Sequence, residues 1–208
     1  MKHISESTVR RLSVYLRSLE EHARRGLQTI SSEELAKLGG TTSAQVRKDL
    51  SLFGSFGTRG LGYPVPELAE RLRDILGLGR EWKVVIVGAG KIGAALARYQ
   101  GFQQRGFHVV AVYDTDVRKI GTRWDALSVR SVSTLEADAR RDKPDIAVLA
   151  VPAEHAQAVL NQLVGAGFRA VLNFAPTRLD APPGVTVRTV NMAMELEGLS
   201  FALANRDD

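Results

Sequence analysis

The stretch Val84-Val-Ile-Val-Gly88-Ala-Gly90-Lys-Ile-Gly93 decides the architecture of this chain. Four β-branched residues stop at a glycine, so residues 83–87 are predicted to form a buried strand. The residues from 92 to 99 and onward have helical spacing. In a strand–turn–helix unit the three glycines have different duties. Gly88 permits the tight turn, Gly90 lets a pyrophosphate approach the backbone, and Gly93 lets the helix close onto the strand. Ala89, Lys91 and Ile92 fill the remaining turn positions. The helix start directs its amides at the phosphates. Asp114 follows Gly93 by 21 residues and ends a second predicted strand at 108–113. An acid there accepts hydrogen bonds from an adenosine ribose and repels a 2′-phosphate, which favours NAD(H) over its phosphorylated relative. Taken alone, the glycines also suit a plain turn in a sheet that binds nothing.

Outward from this stretch the pattern repeats. Residues 134–141 and 154–164 are predicted helical, and residues 146–151, 170–174 and 185–190 are predicted strands. Short apolar strands alternating with helices imply an α/β fold, a doubly wound parallel sheet covered on both faces. Ligands bind such sheets at the C-terminal ends of the strands. Val151-Pro152 and Asn173-Phe174-Ala175-Pro176 end two strands on that edge and are candidate walls for the nicotinamide end. Tyr99 lies three residues after Leu96 and seven after Ile92, so it is expected on the same core-facing side. His108 and His155 begin a strand and a helix, and are expected to be surface or capping residues. Residues 191–204 are predicted as an apolar helix carrying Met194, Leu196, Leu199, Phe201 and Leu203.

The N-terminal part has a different texture. Val9, Leu12, Leu16 and Leu19 recur at helical spacing over residues 7–25, with Arg17 among them and expected to reach for water. Ser31-Ser-Glu-Glu34 is a capping box that opens a short helix, and Gly39-Gly40 stops it. Thr41-Thr-Ser43 offers caps for a third helix to about residue 53, with Val46, Leu50 and Phe53 on one face. This pair fits a helix-turn-helix. Ser43, Gln45, Arg47, Lys48 and Ser51 are then the candidate DNA-contacting residues: Arg and Lys suit guanine edges and phosphates, and Gln suits adenine. Four glycines fall between 54 and 62, so residues 57–63 are predicted as a β-hairpin wing in which Arg59, with Gly60 beside it, enters a minor groove. A fourth helix is predicted over 67–76, and Gly77-Leu-Gly79 forms a hinge. A helical mini-domain with a solvated charged face would share much of this pattern.

Charge supports the division. Residues 1–80 hold 13 Lys and Arg against 9 Asp and Glu, whereas residues 81–208 hold 15 against 14. The excess points to a polyanion partner for the first part. With 44% apolar and 25% charged residues, the chain has an ordinary globular composition. No apolar run approaches the length of about 18 residues that a membrane helix needs. Met1-Lys-His-Ile-Ser-Glu6 turns polar too early for a secretory leader, so a cytoplasmic protein is expected. Cysteine is absent and the four histidines are isolated, so no metal site is expected.

Four motifs then stand in order: Gln45-Val-Arg-Lys-Asp-Leu50, Phe53-Gly-Ser-Phe-Gly-Thr-Arg-Gly-Leu-Gly-Tyr63, Ile86-Val-Gly-Ala-Gly-Lys-Ile-Gly93 and Asn173-Phe-Ala-Pro176. Together they resemble the redox-sensing transcriptional repressors of the Rex family, the Thermus-type members above all. The resemblance spans almost the whole chain. It implies a winged helix-turn-helix DNA-binding domain over 1–79, a Rossmann-like NAD(H)-binding domain over 80–190 and a dimerisation helix over 191–208. It also implies a homodimer in which that helix swaps between subunits. Such a dimer binds a two-fold symmetric double-stranded operator and is released by NADH. By the same resemblance Tyr99 lies near the nicotinamide, and Arg17 couples the two domains. One departure stands out. Asn191-Met192 occupies the place of an aspartate followed by phenylalanine in the Thermus-type pattern. That aspartate belongs to the family's Arg–Asp–Tyr switch, and a neutral amide makes a weaker bond than a charged one.

Two other functions remain open on the sequence. A dehydrogenase would need a substrate domain and a positioned acid or base, and only one helix follows the last strand. A CoA- or adenine-nucleotide-binding module is supported by the fold and glycines alone.

Overall fold

In the computed structural model, residues 4–57 and 61–205 are described, and they divide into two units, Met1–Arg80 and Glu81–Asp208. The first unit contains α1 (Glu6–Arg24), β1 (Thr29–Ile30), α2 (Ser32–Leu38), α3 (Ser43–Ser51), β2 (Tyr63–Pro64) and α4 (Val65–Ile75). Its helices begin where local chemistry lets them. Ser5 accepts from the Thr8 amide and Thr42 from the Gln45 amide. Ser31 and Glu34 close a reciprocal capping box. Pro66 sits in the first turn of α4, where its missing N–H costs nothing. Leu12, Leu16 and Leu19 of α1 pack with Leu35, Val46, Leu50, Leu68 and Leu72 in one buried cluster. Each such fully buried side chain contributes roughly 1.5–3 kcal/mol.

The strand that ends the wing segment has a partner that the expectation does not include: Tyr63–Pro64 pairs antiparallel with Thr29–Ile30, ahead of α2. The strand that follows the glycines is thus anchored to the helix pair by a contact far away in sequence. Thr58, Arg59 and Gly60 lie outside the described residues.

The second unit runs β3 (Trp82–Val87), α5 (Lys91–Ala97), α6 (Gln100–Gln103), β4 (Phe107–Asp114), β5 (Arg123–Trp124), β6 (Leu127–Ser131), a 3-10 turn at Val132–Thr134, α7 (Leu135–Asp142), β7 (Ile146–Leu149), α8 (Ala153–Gly165), β8 (Ala170–Asn173), β9 (Thr186–Thr189) and α9 (Met192–Ala204). The sheet order is β5-β6-β4-β3-β7-β8-β9. All neighbours pair in parallel except the edge hairpin β5–β6. Leaving aside β5, this is the doubly wound order in which the winding reverses beside β3. Alternate residues fill the two faces. Val85, Val87, Tyr113 and Leu149 meet α7 and α8, whereas Val84, Ile86, Val112 and Val148 lie on the face of Leu96 and Phe107. Strand β6 has no counterpart among the expected elements, because its run Leu127-Ser-Val-Arg-Ser131 is short and half polar.

Tyr99 also departs from the expectation. The helical run ends at Ala97, so Tyr99 leaves the Ile92–Leu96 face and becomes the residue that starts α6. Its side chain is 60% exposed and meets Phe102 edge-on, with ring centroids 5.2 Å apart. Ile92 is exposed as well. Helix α9 carries Met194, Leu196, Leu199, Phe201 and Leu203 between 61% and 70% exposed. Among the described residues no helix is long and apolar enough to cross a membrane.

Candidate functional site

The β3–α5 turn has the backbone geometry that its glycines suggest. Gly88 has φ +110°, and a Cβ on it would lie 2.3 Å from the Ala150 carbonyl oxygen. A Cβ on Gly93 would lie 1.9 Å from the Gly88 carbonyl oxygen. These two glycines therefore serve the turn and the close approach of helix to strand. Gly90 differs: a Cβ there would meet nothing within 4 Å, so its surface is open. A glycine that the fold does not need sits where a phosphate would approach. No side chain caps α5 at Gly90.

Asp114 ends β4 beside this turn, 8% exposed. Its Oδ2 accepts from the Ala89 amide at 2.7 Å and from Lys119 Nζ at 3.1 Å, and its Oδ1 accepts from the Asp116 amide at 2.8 Å. Burial would raise its pKa; the Asp116 and Ala89 amides and Lys119 outweigh this and hold it below the usual carboxylate value. The acid is thus fixed as an anion facing the turn. Asp116 is held low as well, at about 2, by Arg118.

These groups line a cleft of about 560 Å³. Its walls combine Gly88, Gly90, Asp114, Val151 and Pro152, all expected from the sequence, with Thr115, Lys119, Val132, His155 and Val159. The opening lies at the strand ends where the winding reverses, which is where doubly wound sheets bind dinucleotides. An open glycine turn, an anionic ribose acceptor and apolar walls fit an adenine dinucleotide. His155, expected as a surface or capping residue, is exposed, but it also lines this cleft. The sequence signal for the α8 contribution is its position directly after Val151-Pro152.

The remaining candidates separate. Asn173 is fully buried and knits the strand end: its Oδ1 accepts from the Ala175 amide, and its Nδ2 donates to the Ala175 and Thr177 carbonyls. Ala175 is buried in the core and Phe174 packs against the other sheet face, so neither lines the cleft. Pro176 lines a second hollow with Thr189, Asn191 and Met194. Asn191 is the N-cap of α9, its Oδ1 accepting from the Ala193 and Met194 amides. Tyr99 lines neither, but borders a third hollow with Phe102, Phe107 and Trp124. Among the described residues no group of three His, Asp or Glu could hold a metal ion.

In the first unit, α2 and α3 stand as a helix pair joined by Gly39–Thr42. Arg47, Lys48 and Ser51 are exposed and Ser43 is half-buried. Arg47 donates to Ser32 Oγ at 3.0 Å, across the pair. Gln45 does not present its amide freely, because Nε2 donates to Asp49 Oδ1 at 2.8 Å. Asp49 is 1% exposed, and burial would raise its pKa; donors from Arg11, Gln45 and Tyr15 outweigh that and hold it low. Tyr15 is pushed up to about 12 by burial and by its bond to Asp49. Sequence reasoning misses this buried carboxylate, because Asp49 reads there as one more surface charge. Arg17 is exposed on α1.

Comparison with known proteins agrees with both halves. A family model for a putative DNA-binding protein N-terminus matches residues 3–51, and a CoA binding domain model matches residues 79–177. The redox-sensing transcriptional repressor Rex of Carboxydothermus hydrogenoformans is 49% identical, over 95% of each chain. That of Streptomyces coelicolor is 48% identical, over 95% of this chain and 77% of its own. Among solved structures, RSP, a Rex-family repressor, matches with a TM-score of 0.91 and 36% identity, covering 98% of this chain and 95% of that one. RSP in complex with β-NAD+ and operator DNA matches with a TM-score of 0.92 and 37% identity, covering 98% and 94%. These relatives are named as repressors and not as enzymes, which sets aside the dehydrogenase and the isolated nucleotide module. The chain belongs to the Rex family of redox-sensing transcriptional repressors.

Proposed function

We propose that this protein is a homodimeric transcriptional repressor that binds a palindromic operator and leaves it when NADH fills the β3–α5 cleft. One observation carries the reading: a single chain joins the Gly88–Asp114 cleft to an exposed Arg47–Lys48 helix, and resembles throughout a repressor solved with NAD+ and operator DNA. Gly90 and Asp114 would hold the pyrophosphate and the adenosine ribose, with Val151 and Pro152 as a wall of the cleft. Pro176, which borders a second hollow with Thr189 and Asn191, is the residue of the Asn173–Pro176 stretch proposed for the nicotinamide end.

Bound NAD+ and NADH differ by one positive charge and by the planarity of the nicotinamide ring. Arg17, Tyr99 and Asn191 are proposed to carry that difference to the DNA-binding units. Two recognition helices must stand about one helical turn apart, roughly 34–36 Å, to engage both half-sites. A modest rotation of the subunits therefore disengages one half-site. Asn191 caps α9 with its Oδ1, and in this reading it would take part in the switch as a neutral hydrogen-bonding group. The exposed apolar surface of α9 supports a partner subunit as its cover and the exchange of this helix between subunits, since a helix apolar all round is normally buried.

The reading is tested by selecting duplexes from random DNA with the protein and NAD+. A recovered palindrome with half-sites one helical turn apart supports it. Recovery of no sequence, at low salt, would remove the DNA-binding half.

A further inference from the structure

Gly101 is a glycine that its own backbone does not require. It lies inside α6 with φ outside the left-handed region, a conformation open to any residue. Alanine is the better helix former at such a position. What leaves no room for a side chain is Tyr99. A Cβ on Gly101 would lie 2.5 Å from Cε1 and Cζ of Tyr99 and 2.6 Å from its hydroxyl oxygen. The phenol ring therefore lies across the bare Cα of Gly101, and Phe102 meets it edge-on at an interplanar angle of 89°. In this position Tyr99 borders the hollow of Phe107 and Trp124 and does not line the β3–α5 cleft.

We infer that Gly101 and Phe102 form a seat that holds the Tyr99 ring out of the cofactor cleft, and so set how readily the tyrosine reaches the nicotinamide end. The inference rests on the sensing role proposed above for Tyr99 and deepens it. Chemistry gives the seat a sign. The oxidised nicotinamide is a cation and gains from an aromatic face, whereas the reduced ring is neutral and gains far less. A seated tyrosine withholds a contact that chiefly NAD+ would use, so freeing the ring favours NAD+ over NADH. The atoms that crowd a Cβ at Gly101 are the far end of a side chain that can turn. Gly101→Ala thus moves the tyrosine and spares the fold, which makes Gly101 a positioning residue.

Affinities for NAD+ and NADH are measured by titration calorimetry of the full-length wild type, Gly101→Ala, Tyr99→Ala and the double variant, with thermal melts alongside. In Gly101→Ala the preference for NADH over NAD+ is expected to fall roughly three- to tenfold, the range that loss of one aromatic pair implies. Its melting midpoint is expected to match or exceed the wild type. In Tyr99→Ala, NAD+ is expected to weaken while NADH stays near the wild type. Adding Gly101→Ala to that background is expected to change nothing further, whereas a merely structural glycine would act alike in both backgrounds. The inference is overturned, and the sensing role kept, if Tyr99→Ala weakens NAD+ but Gly101→Ala fails to lower the preference or lowers it equally without the tyrosine. A Gly101→Ala protein that melts well below the wild type also overturns it. Wild-type affinities for both dinucleotides in Tyr99→Ala overturn the sensing role and the inference together. Wild-type protein that binds neither dinucleotide overturns the cofactor reading itself.

Discussion

Arg11 grips Asp49 with two charge-assisted hydrogen bonds, Nε to Oδ2 at 2.6 Å and Nη2 to Oδ1 at 2.7 Å. The pair joins α1 to α3, the proposed recognition helix, across 38 positions of sequence. Tyr15 donates to the same carboxylate at 3.1 Å and Gln45 at 2.8 Å. The orientation of the recognition helix is therefore fixed from behind by a buried anion. Arg11→Met removes the main donor and strands that anion. We expect a loss of about 3 kcal/mol in denaturant unfolding, with Arg11→Met/Asp49→Asn recovering part of it.

The same network fixes the pH dependence. The folded pKa of Asp49 lies below its unfolded value. Its contribution is complete above the unfolded pKa of about 3.9 and is lost as pH falls towards the folded value. Tyr15 has the opposite sign: raised to about 12, it favours the fold below the unfolded pKa of about 10 and loses that contribution as pH rises towards about 12. The wild-type fold is expected to weaken at both edges in thermal unfolding, and the acid edge is expected to flatten in Asp49→Asn.

On DNA, the exposed cations and the occupied glutamine should separate. Lys48→Ala is expected to weaken operator binding and to lower the slope of log affinity against log salt by about one for each phosphate no longer neutralised. Arg47→Ala is expected to behave similarly or to relax base preference. Gln45→Ala should disturb binding less than either, because its amide already serves Asp49. Anisotropy of a labelled duplex across salt concentrations measures all three.

The glycines offer a test that separates fold from site. Gly93→Ala drives a Cβ into the Gly88 carbonyl, and we expect it to cost about 1–3 kcal/mol of stability. Gly90→Ala meets open space, so its unfolding midpoint should stay near the wild type while NADH affinity falls by about tenfold or more, since the methyl group takes the room a pyrophosphate needs. Parallel thermal melts and NADH titrations distinguish the two.

These contrasts also mark what the sequence could carry. The glycine turn, the Ser31–Glu34 box and the alternation of strands with helices are local signals, and they are legible in order. Gly90 can be assigned a phosphate role because its duty follows from its place in the motif. Asp49 cannot be singled out, because its partner Arg11 lies far away in the chain and only folding buries the pair. Lys119 and Val159 reach the cleft from a loop and a helix that meet only through the parallel order of the strands. Periodicity continues through Arg98 and puts Tyr99 on the core side, whereas the helix itself stops at Ala97. The pairing of the wing strand is hidden because its partner, Thr29–Ile30, is two residues long.

Helix α9 gives a further expectation. Leu196→Glu/Leu199→Glu places charges on its exposed apolar surface, and sedimentation should show the variant shifting from dimer to monomer at micromolar concentration. Operator binding should fall with it, because a monomer presents one recognition helix.

The most direct test of the central claim is the anisotropy of a labelled palindromic operator titrated with full-length protein, once with NAD+ and once with NADH. Tight binding with NAD+ that collapses with NADH is the expected result. Moving the operator from almost fully bound to almost fully free requires about 5.5 kcal/mol of differential binding, which the proposed dimer would share between two cofactor sites. Equal affinity under both cofactors would contradict the claim, and would show that a chain with Asn191 at the head of α9 binds its ligands without coupling them.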